Sequence, residues 1–133
     1  PGSTLMRLEY PTANVDERIL SVKGVADPIE PRHFEGLEAH TFLITASIRG
    51  EVAPSTVEAM KARCQRLALD VQGFVRVVTP EGRLAYEAWP EREQVLALVD
   101  ILKTDAVEAE FLTGTADIRE AARSLSALGP REI

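Results

Sequence analysis

The sequence predicts an α/β protein: a parallel sheet between two layers of helices, a three-layer α/β/α arrangement, with a small N-terminal β-hairpin. From residue 41 onward, apolar strand patterns alternate with helix patterns, and this alternation builds right-handed βαβ units. The inner strand patterns also end in polar residues. Because the carboxyl ends of parallel strands meet at one edge of a sheet, we expect these polar residues to lie together.

The N-terminal part, residues 1–40, is predicted to hold strands and a connection. Residues 4–10 alternate apolar and polar side chains, as in a half-buried strand, and residues 18–25 have the pattern of a second strand that pairs with the first. Residues 41–133 are predicted to form a separate and partial α/β domain.

Within that domain, residues 41–48 are almost all apolar or β-branched, the pattern of a strand covered on both faces. Ser55 and Glu58 have the spacing of a capping box, which predicts a helix running to about Arg66 and burying Cys64. The remaining predicted elements are an inner strand at 67–70, a short hairpin within 74–86, a helix at 91–98, a strand at 99–102, a helix from 105, and a helix at 117–128.

The stretch DILKTDAVEAEFLTG, residues 100–114, predicts a buried strand that stops at a Lys-Thr-Asp corner and turns into a helix. Lys103, Asp105 and Glu108 place one cation and two carboxylates within a single turn. Two acids would repel a bare anion, so the set suits a phosphate bridged by a divalent cation. Asp105 and Glu108 also have capping-box spacing, which by itself stabilises a helix without any function.

Residues 100–114 resemble the mid-chain signature of the ribokinase-like (PfkB) carbohydrate kinases, approximately D-[ILV]-[ILV]-K-x-N-x-x-E-[AL]-x-x-L-[TS]-G. The matching positions are Lys103, Glu108, Ala109, Leu112, Thr113 and Gly114. Asp105 stands where this family usually has Asn. The run DVQGFVR, residues 70–76, is similar to a variant in plant and microbial inositol-kinase-like members.

The resemblance implies transfer of the γ-phosphoryl group of ATP to a hydroxyl of a sugar, a polyol such as inositol, or a nucleoside. Such transfer depends on positioning, Mg²⁺ and groups that cradle the phosphates. By resemblance, Asp105 and Glu108 would orient Mg²⁺, and Lys103 would lie near the nucleotide. Asp70 and Gln72 would line the same cleft.

Two further residues are weaker candidates for substrate contacts. Glu51 follows an inner strand and would face substrate or metal, although a solvated loop acid fits equally well. Arg76 would reach a phosphate, with an ordinary surface arginine as its alternative. The family's Gly-Ala-Gly-Asp segment, which carries the catalytic base, and its N-terminal glycine-rich segment do not occur here. No catalytic residue is therefore assigned, and we expect a central fragment that is inactive alone.

Two other classes of protein compete with the kinase interpretation. In a non-catalytic α/β ligand-binding or regulatory domain, the corners would be ordinary helix caps. In a phosphoacceptor receiver, Asp70 and Lys103 would correspond to its aspartate and lysine, but the acidic pair after the first strand is missing. Neither a G-x-G dinucleotide motif nor a Gly-Lys-Ser/Thr P-loop is present.

Composition limits the partners. The 133 residues carry a formal net charge of −6, which argues against binding to a nucleic-acid backbone. No apolar run approaches the roughly 20 residues that span a bilayer, so we expect a cytoplasmic protein without a membrane partner. An exposed N-terminal hairpin would allow pairing with a second copy, as a homodimer.

Overall fold

The computed structural model describes residues 2–15 and 17–133. The strands are β1 (Leu5–Glu9), β2 (Ile19–Gly24), β3 (Ala39–Ile44), β4 (Cys64–Asp70), β5 (Arg76–Val78), β6 (Leu84–Tyr86) and β7 (Ile101–Lys103). The helices are α1 (Pro54–Lys61), α2 (Gln72–Val75), α3 (Arg92–Leu96), α4 (Ala106–Thr113) and α5 (Ile118–Ser126), with a short 3₁₀ turn at Pro31–Phe34. No described helix is long and apolar enough to cross a bilayer.

The central sheet is parallel, with the strand order β3-β4-β7. Ile44 pairs with Leu69, and Leu69 pairs with Leu102, so the three strands end at nearly the same level. The α/β class with a parallel sheet that the sequence predicts is confirmed. The register also places Asp70 directly beside Lys103.

Strand β4 lies at the centre of the core. Its consecutive residues Leu67, Ala68 and Leu69 are all buried. Successive side chains of a strand point to opposite faces, so both faces of β4 are covered. Helix α1 packs against β4 and α3, while α4 packs against α5.

The N-terminal hairpin is also confirmed: β1 and β2 pair antiparallel. It is joined to the second hairpin, β5–β6, by a hydrogen bond from the Val22 N–H to the Gly82 carbonyl at 2.7 Å and by a bridge between Ser21 and Arg83. The two hairpins are separate two-stranded sheets that contact each other through this bridge. Whether residues 1–40 are a domain of their own stays a prediction.

The predicted strand at 41–48 is too long, because β3 ends at Ile44. Ala46, Ile48 and Val52 are nevertheless buried. They belong to the segment between β3 and α1, whose apolar residues are buried outside the central sheet; Val52 makes only an isolated bridge with Ile29. A run of apolar residues predicts that a segment is buried more reliably than it predicts that the segment is a strand.

The predicted capping box of Ser55 and Glu58 is wrong. The helix begins one residue earlier, with Pro54 in its first turn and Ala53 at the N-cap, and it has no side-chain cap. Proline is well suited to the first helical position because its φ is already helical. The same helix ends at Lys61, and Cys64 begins β4 instead of lying on the helix.

Gly73 is needed for a close approach between the β3 loop and α2. A Cβ atom at this position would overlap the side chain and the carbonyl group of Ala46. Backbone cannot move away as readily as a flexible side chain. We expect Gly73→Ala to lower the free energy of unfolding by roughly 2 to 3 kcal/mol, as for other overpacked sites. Urea unfolding measures this loss, and Gly24→Ala is the control because its Cβ would meet only ordinary contact.

Asp100 joins three elements of the core. Its Oδ2 atom accepts hydrogen bonds from the Lys61 ammonium at 2.5 Å and from the Leu67 N–H at 2.8 Å. The Lys61 hydrogen bond, followed by that of Leu67, lowers the pKa of Asp100 below 3.8. A lowered folded-state pKa stabilises the fold above the unfolded value and loses that effect as the pH falls.

We expect Asp100→Asn to destabilise the protein at pH 7 by roughly 1 to 2 kcal/mol, because a charged hydrogen-bond acceptor is lost. The difference from the unsubstituted chain should shrink as the pH falls below 3.8, the ordinary pKa of the group. Urea unfolding at a series of pH values measures both effects. A difference that stayed constant into acid would contradict the assigned charge.

Candidate functional site

The ends of β4 and β7 are joined directly at the carboxyl edge of the sheet. The Lys103 Nζ atom lies 3.0 Å from the Asp70 Oδ2 atom, and the Gln72 N–H donates to Asp70 Oδ1 at 3.1 Å. Hydrogen bonding to Asp70 is the largest cause that raises the pKa of Lys103, and the charges of Asp70, Glu108 and Asp105 add to it. Lys103 is therefore a firmly protonated cation held at this edge.

The start of α4 has the capping box that the spacing of its acids predicts. Asp105 Oδ1 accepts the Glu108 N–H at 2.8 Å, and Glu108 Oε2 accepts the Asp105 N–H at 3.0 Å. Gly114, with a φ of 76°, ends the helix in the left-handed conformation. The two acids thus stabilise the helix whether or not they have a second role.

Glu108 is fully buried, with 0% of its side chain exposed, and it is paired with Arg76. The Arg76 Nη2 atom lies 3.4 Å from Glu108 Oε1, and the Arg76 guanidinium lies 5.9 Å from the centre of the Tyr86 ring. A buried carboxylate without a partner would be strongly destabilising. Arg76 therefore supplies the oppositely charged partner of this buried side chain.

A cavity of 640 Å³ opens where this edge meets the two hairpins. Its wall combines an apolar surface from the hairpins with a few polar groups from the corners. The lining residues are Leu8, Arg18, Leu20, Gln72, Arg76, Leu84, Ala85, Tyr86 and Asp105. Three of the candidates from the sequence, Gln72, Arg76 and Asp105, line this cavity.

The remaining candidates lie around the cavity and do not line it. Asp70 is linked to the cavity wall through Gln72, and Glu108 through Asp105 and Arg76. Lys103 is paired with Asp70. Glu51 is held elsewhere: its carboxylate accepts hydrogen bonds from the Thr4 hydroxyl and, at 2.6 Å, from the Ser47 N–H. Glu51 thus ties the N-terminal segment to the loop after β3, and its role toward a substrate stays a prediction.

Sequence patterns did not reveal the Arg76–Glu108 pair or the contribution of the hairpin to the cavity. The two paired residues are 32 positions apart, and neither charge has a local motif that points to the other. Arg18 is exposed and near the start of β2, without any motif around it.

The side chains at this edge fit Mg²⁺ only together with a phosphate ligand. Among the described residues, no group of three or more His, Cys, Asp or Glu side chains is placed to hold a metal ion. Mg²⁺ is commonly bound through one or two carboxylates, water and substrate phosphates. Asp105 lines the cavity and has the exposure for such a contact, while Arg76 and Lys103 suit the phosphate charge.

No protein-family profile matches the sequence, and no curated protein matches it. Solved structures do match. A sulfate complex of a pyrophosphate-dependent kinase in the ribokinase family is 31% identical with a TM-score of 0.88, over 98% of this chain and 46% of that chain. A pyrophosphate-dependent kinase of the same family, complexed with a pyrophosphate analogue and myo-inositol, is 32% identical with a TM-score of 0.80, over 85% of this chain and 41% of that chain.

A pyrophosphate-dependent myo-inositol-1 kinase, which two substitutions convert into a myo-inositol-3 kinase, is 33% identical with a TM-score of 0.79. This match covers 84% of the chain and 40% of that kinase. Arabidopsis thaliana ribokinase is 19% identical with a TM-score of 0.52, over 86% of this chain and 36% of that one, and supports the fold alone. The chain is therefore similar over most of its length to kinases of the ribokinase family, and it spans less than half of each of these proteins.

Substitution of Asp105 separates its capping role from any role in chemistry. Asn is as good an N-cap as Asp, and it is the residue that the family signature usually has at this position. We expect Asp105→Ala to lower the free energy of unfolding by about 1 kcal/mol and Asp105→Asn to leave it nearly unchanged. Thermal or urea unfolding measures this difference. Asp117→Ala, which removes the cap of α5, is the control for loss of a cap away from the cavity.

Proposed function

We propose that this chain forms part of a kinase that transfers a phosphoryl group from pyrophosphate or ATP to a hydroxyl of a polyol, with a sugar or nucleoside as further acceptor classes. The observation that carries the proposal is the cavity at the carboxyl edge of the sheet. There a guanidinium, an amide and a carboxylate converge beside an apolar wall, the usual composition of a small-molecule site.

We propose pyrophosphate, in preference to ATP, as the phosphoryl donor. The sequence signature by itself implies ATP, as in the wider family. Three matches above 30% identity are pyrophosphate-dependent kinases, and two of them are described with myo-inositol or as myo-inositol kinases. A myo-inositol-like polyol is therefore the acceptor that this similarity supports first.

Phosphoryl transfer asks the protein mainly for positioning and for charge. The acceptor hydroxyl loses its proton to a general base as its oxygen bonds to phosphorus, and the bond from phosphorus to the bridging oxygen of the donor breaks. Mg²⁺, when bound, neutralises charge on the phosphates. None of the site residues named in this chain is assigned as the general base.

The residues of this edge have distinct roles in the proposal. Asp105, on the wall of the cavity, would hold Mg²⁺ or its water ligands, with Glu108 behind it. Lys103, fixed by Asp70, would add positive charge behind the same wall. Gln72 offers its side-chain amide, which has both donors and an acceptor, to a hydroxyl or phosphate oxygen.

We expect a polypeptide that contains this chain and has the length of the matched kinases to show Mg²⁺-dependent turnover of pyrophosphate or ATP with myo-inositol. The phosphorylated product and its regiochemistry are measured by ³¹P NMR, with ribose and a nucleoside as comparison acceptors. Asp105→Ala should reduce kcat/KM by roughly tenfold or more, which corresponds to about 1.4 kcal/mol of lost transition-state stabilisation. Asp117→Ala, which removes an Asp N-cap outside the cavity, is the control.

Three outcomes are informative in that experiment. Turnover that survives Asp105→Ala unchanged would remove this edge from the site. Absence of turnover with every donor and acceptor would favour a non-catalytic ligand-binding or regulatory domain. Transfer of phosphate from a small donor onto Asp70 itself, detected by mass spectrometry, would favour a receiver.

A further inference from the structure

We propose that Glu108 acts as a positioning residue for Arg76, and that Arg76 contacts the phosphoryl group that is transferred. This inference rests on the proposed function and changes the role of one residue within it. The family resemblance implies that Glu108 orients Mg²⁺. The geometry of this chain instead assigns it to the guanidinium beside it.

Burial is the first observation. The Glu108 side chain has no exposed surface, so neither a metal ion nor its water ligands reach it in this arrangement. Both carboxylate oxygens are also occupied: Oε2 by the Asp105 N–H at 3.0 Å and Oε1 by Arg76 at 3.4 Å. A carboxylate in this position holds its neighbours in place and does not meet a ligand.

The second observation is that Arg76 is held in place but keeps N–H groups available for a ligand. Its backbone begins β5, where it pairs with Tyr86, and its carbonyl accepts the Arg49 N–H at 2.8 Å. Glu108 and the Tyr86 ring hold the guanidinium. Among the described residues, no buried side-chain nitrogen or oxygen lacks a hydrogen-bond partner. The N–H groups that Arg76 does not use are therefore not buried, and Arg76 itself lines the cavity.

Charge is the third observation. Among the described residues, the charged side chains that line the cavity are Arg18, Arg76 and Asp105. The two guanidinium groups suit an anionic ligand. A guanidinium presents its N–H donors in a planar fork that matches two oxygens of one phosphate. Holding this fork in advance reduces the ordering needed when the ligand binds.

A double-mutant cycle in the full-length kinase tests the positioning role. We expect Arg76→Met and Glu108→Gln each to reduce kcat/KM for the donor by roughly tenfold, the scale of a lost charged hydrogen bond. If Glu108 acts through Arg76, Glu108→Gln should cost less than about twofold in the Arg76→Met background, because the two residues form one unit. The Mg²⁺ concentration for half-maximal rate should remain the same in Glu108→Gln.

Direct binding gives a readout that does not require turnover. Pyrophosphate is titrated into the 133-residue chain by calorimetry, with and without Mg²⁺. Arg76→Met should weaken binding roughly tenfold, and Arg76→Lys, which keeps the charge for Glu108 but loses the fork, should weaken it less. Arg66→Met is the matched control, because Arg66 is exposed and pairs with Glu132 away from the cavity.

Additive effects in the cycle, together with a raised Mg²⁺ requirement in Glu108→Gln, would overturn the inference while leaving the kinase function intact. Unchanged pyrophosphate binding in Arg76→Met would overturn it as well. If Arg76→Met does not fold because it leaves Glu108 unpaired, two other variants replace it. The combined substitution Arg76→Met with Glu108→Gln removes both charges. Arg76→Lys tests whether binding requires the planar fork of the guanidinium. Failure of the unsubstituted kinase to turn over would count against the proposed function. In that case, the pyrophosphate titration by itself would test whether Arg76 binds phosphate.

Discussion

The parallel register of β4 and β7 is the constraint on which the site depends. It sets Asp70 beside Lys103 and brings the turn into α2 next to the turn into α4. A shift by one residue would move both side chains to the opposite face of the sheet. The 3.0 Å ion pair then secures this alignment where the strands end. The two corners behave as a single surface because the strands behind them are buried on both sides.

The buried carboxylate of Glu108 connects helix, hairpin and cavity. It closes the capping box of α4 and pairs with Arg76 at the start of β5. Few acids are completely buried, and those that are depend on a partner of opposite charge. Such a pair contributes little net stability compared with apolar packing. Its value lies in specificity, because only one arrangement of α4 and β5 satisfies both charges.

The two hairpins form the other wall of the cavity. The hydrogen bond from Val22 to Gly82 links them, and the register of β5 with β6 places Arg76 beside Tyr86. The N-terminal hairpin is therefore attached to the strand pair that carries Arg76 and Tyr86. The strongly exposed apolar residues of that hairpin, including Leu5, Leu8 and Tyr10, fit a surface that meets further protein or a ligand. A homodimer through this hairpin stays a prediction.

The sequence by itself determined the alternation of strands and helices, the strand-to-helix corner at Lys103 and the capping box of Asp105 with Glu108. These features depend on hydrogen bonds and periodicities that span three or four residues. Tertiary structure alone decided that Glu108 is buried against Arg76, that Glu51 is tied to Thr4 and not turned to the cavity, and that Arg18 reaches the site. Each of these contacts joins residues far apart in the chain, and only the path of the folded backbone brings such residues together.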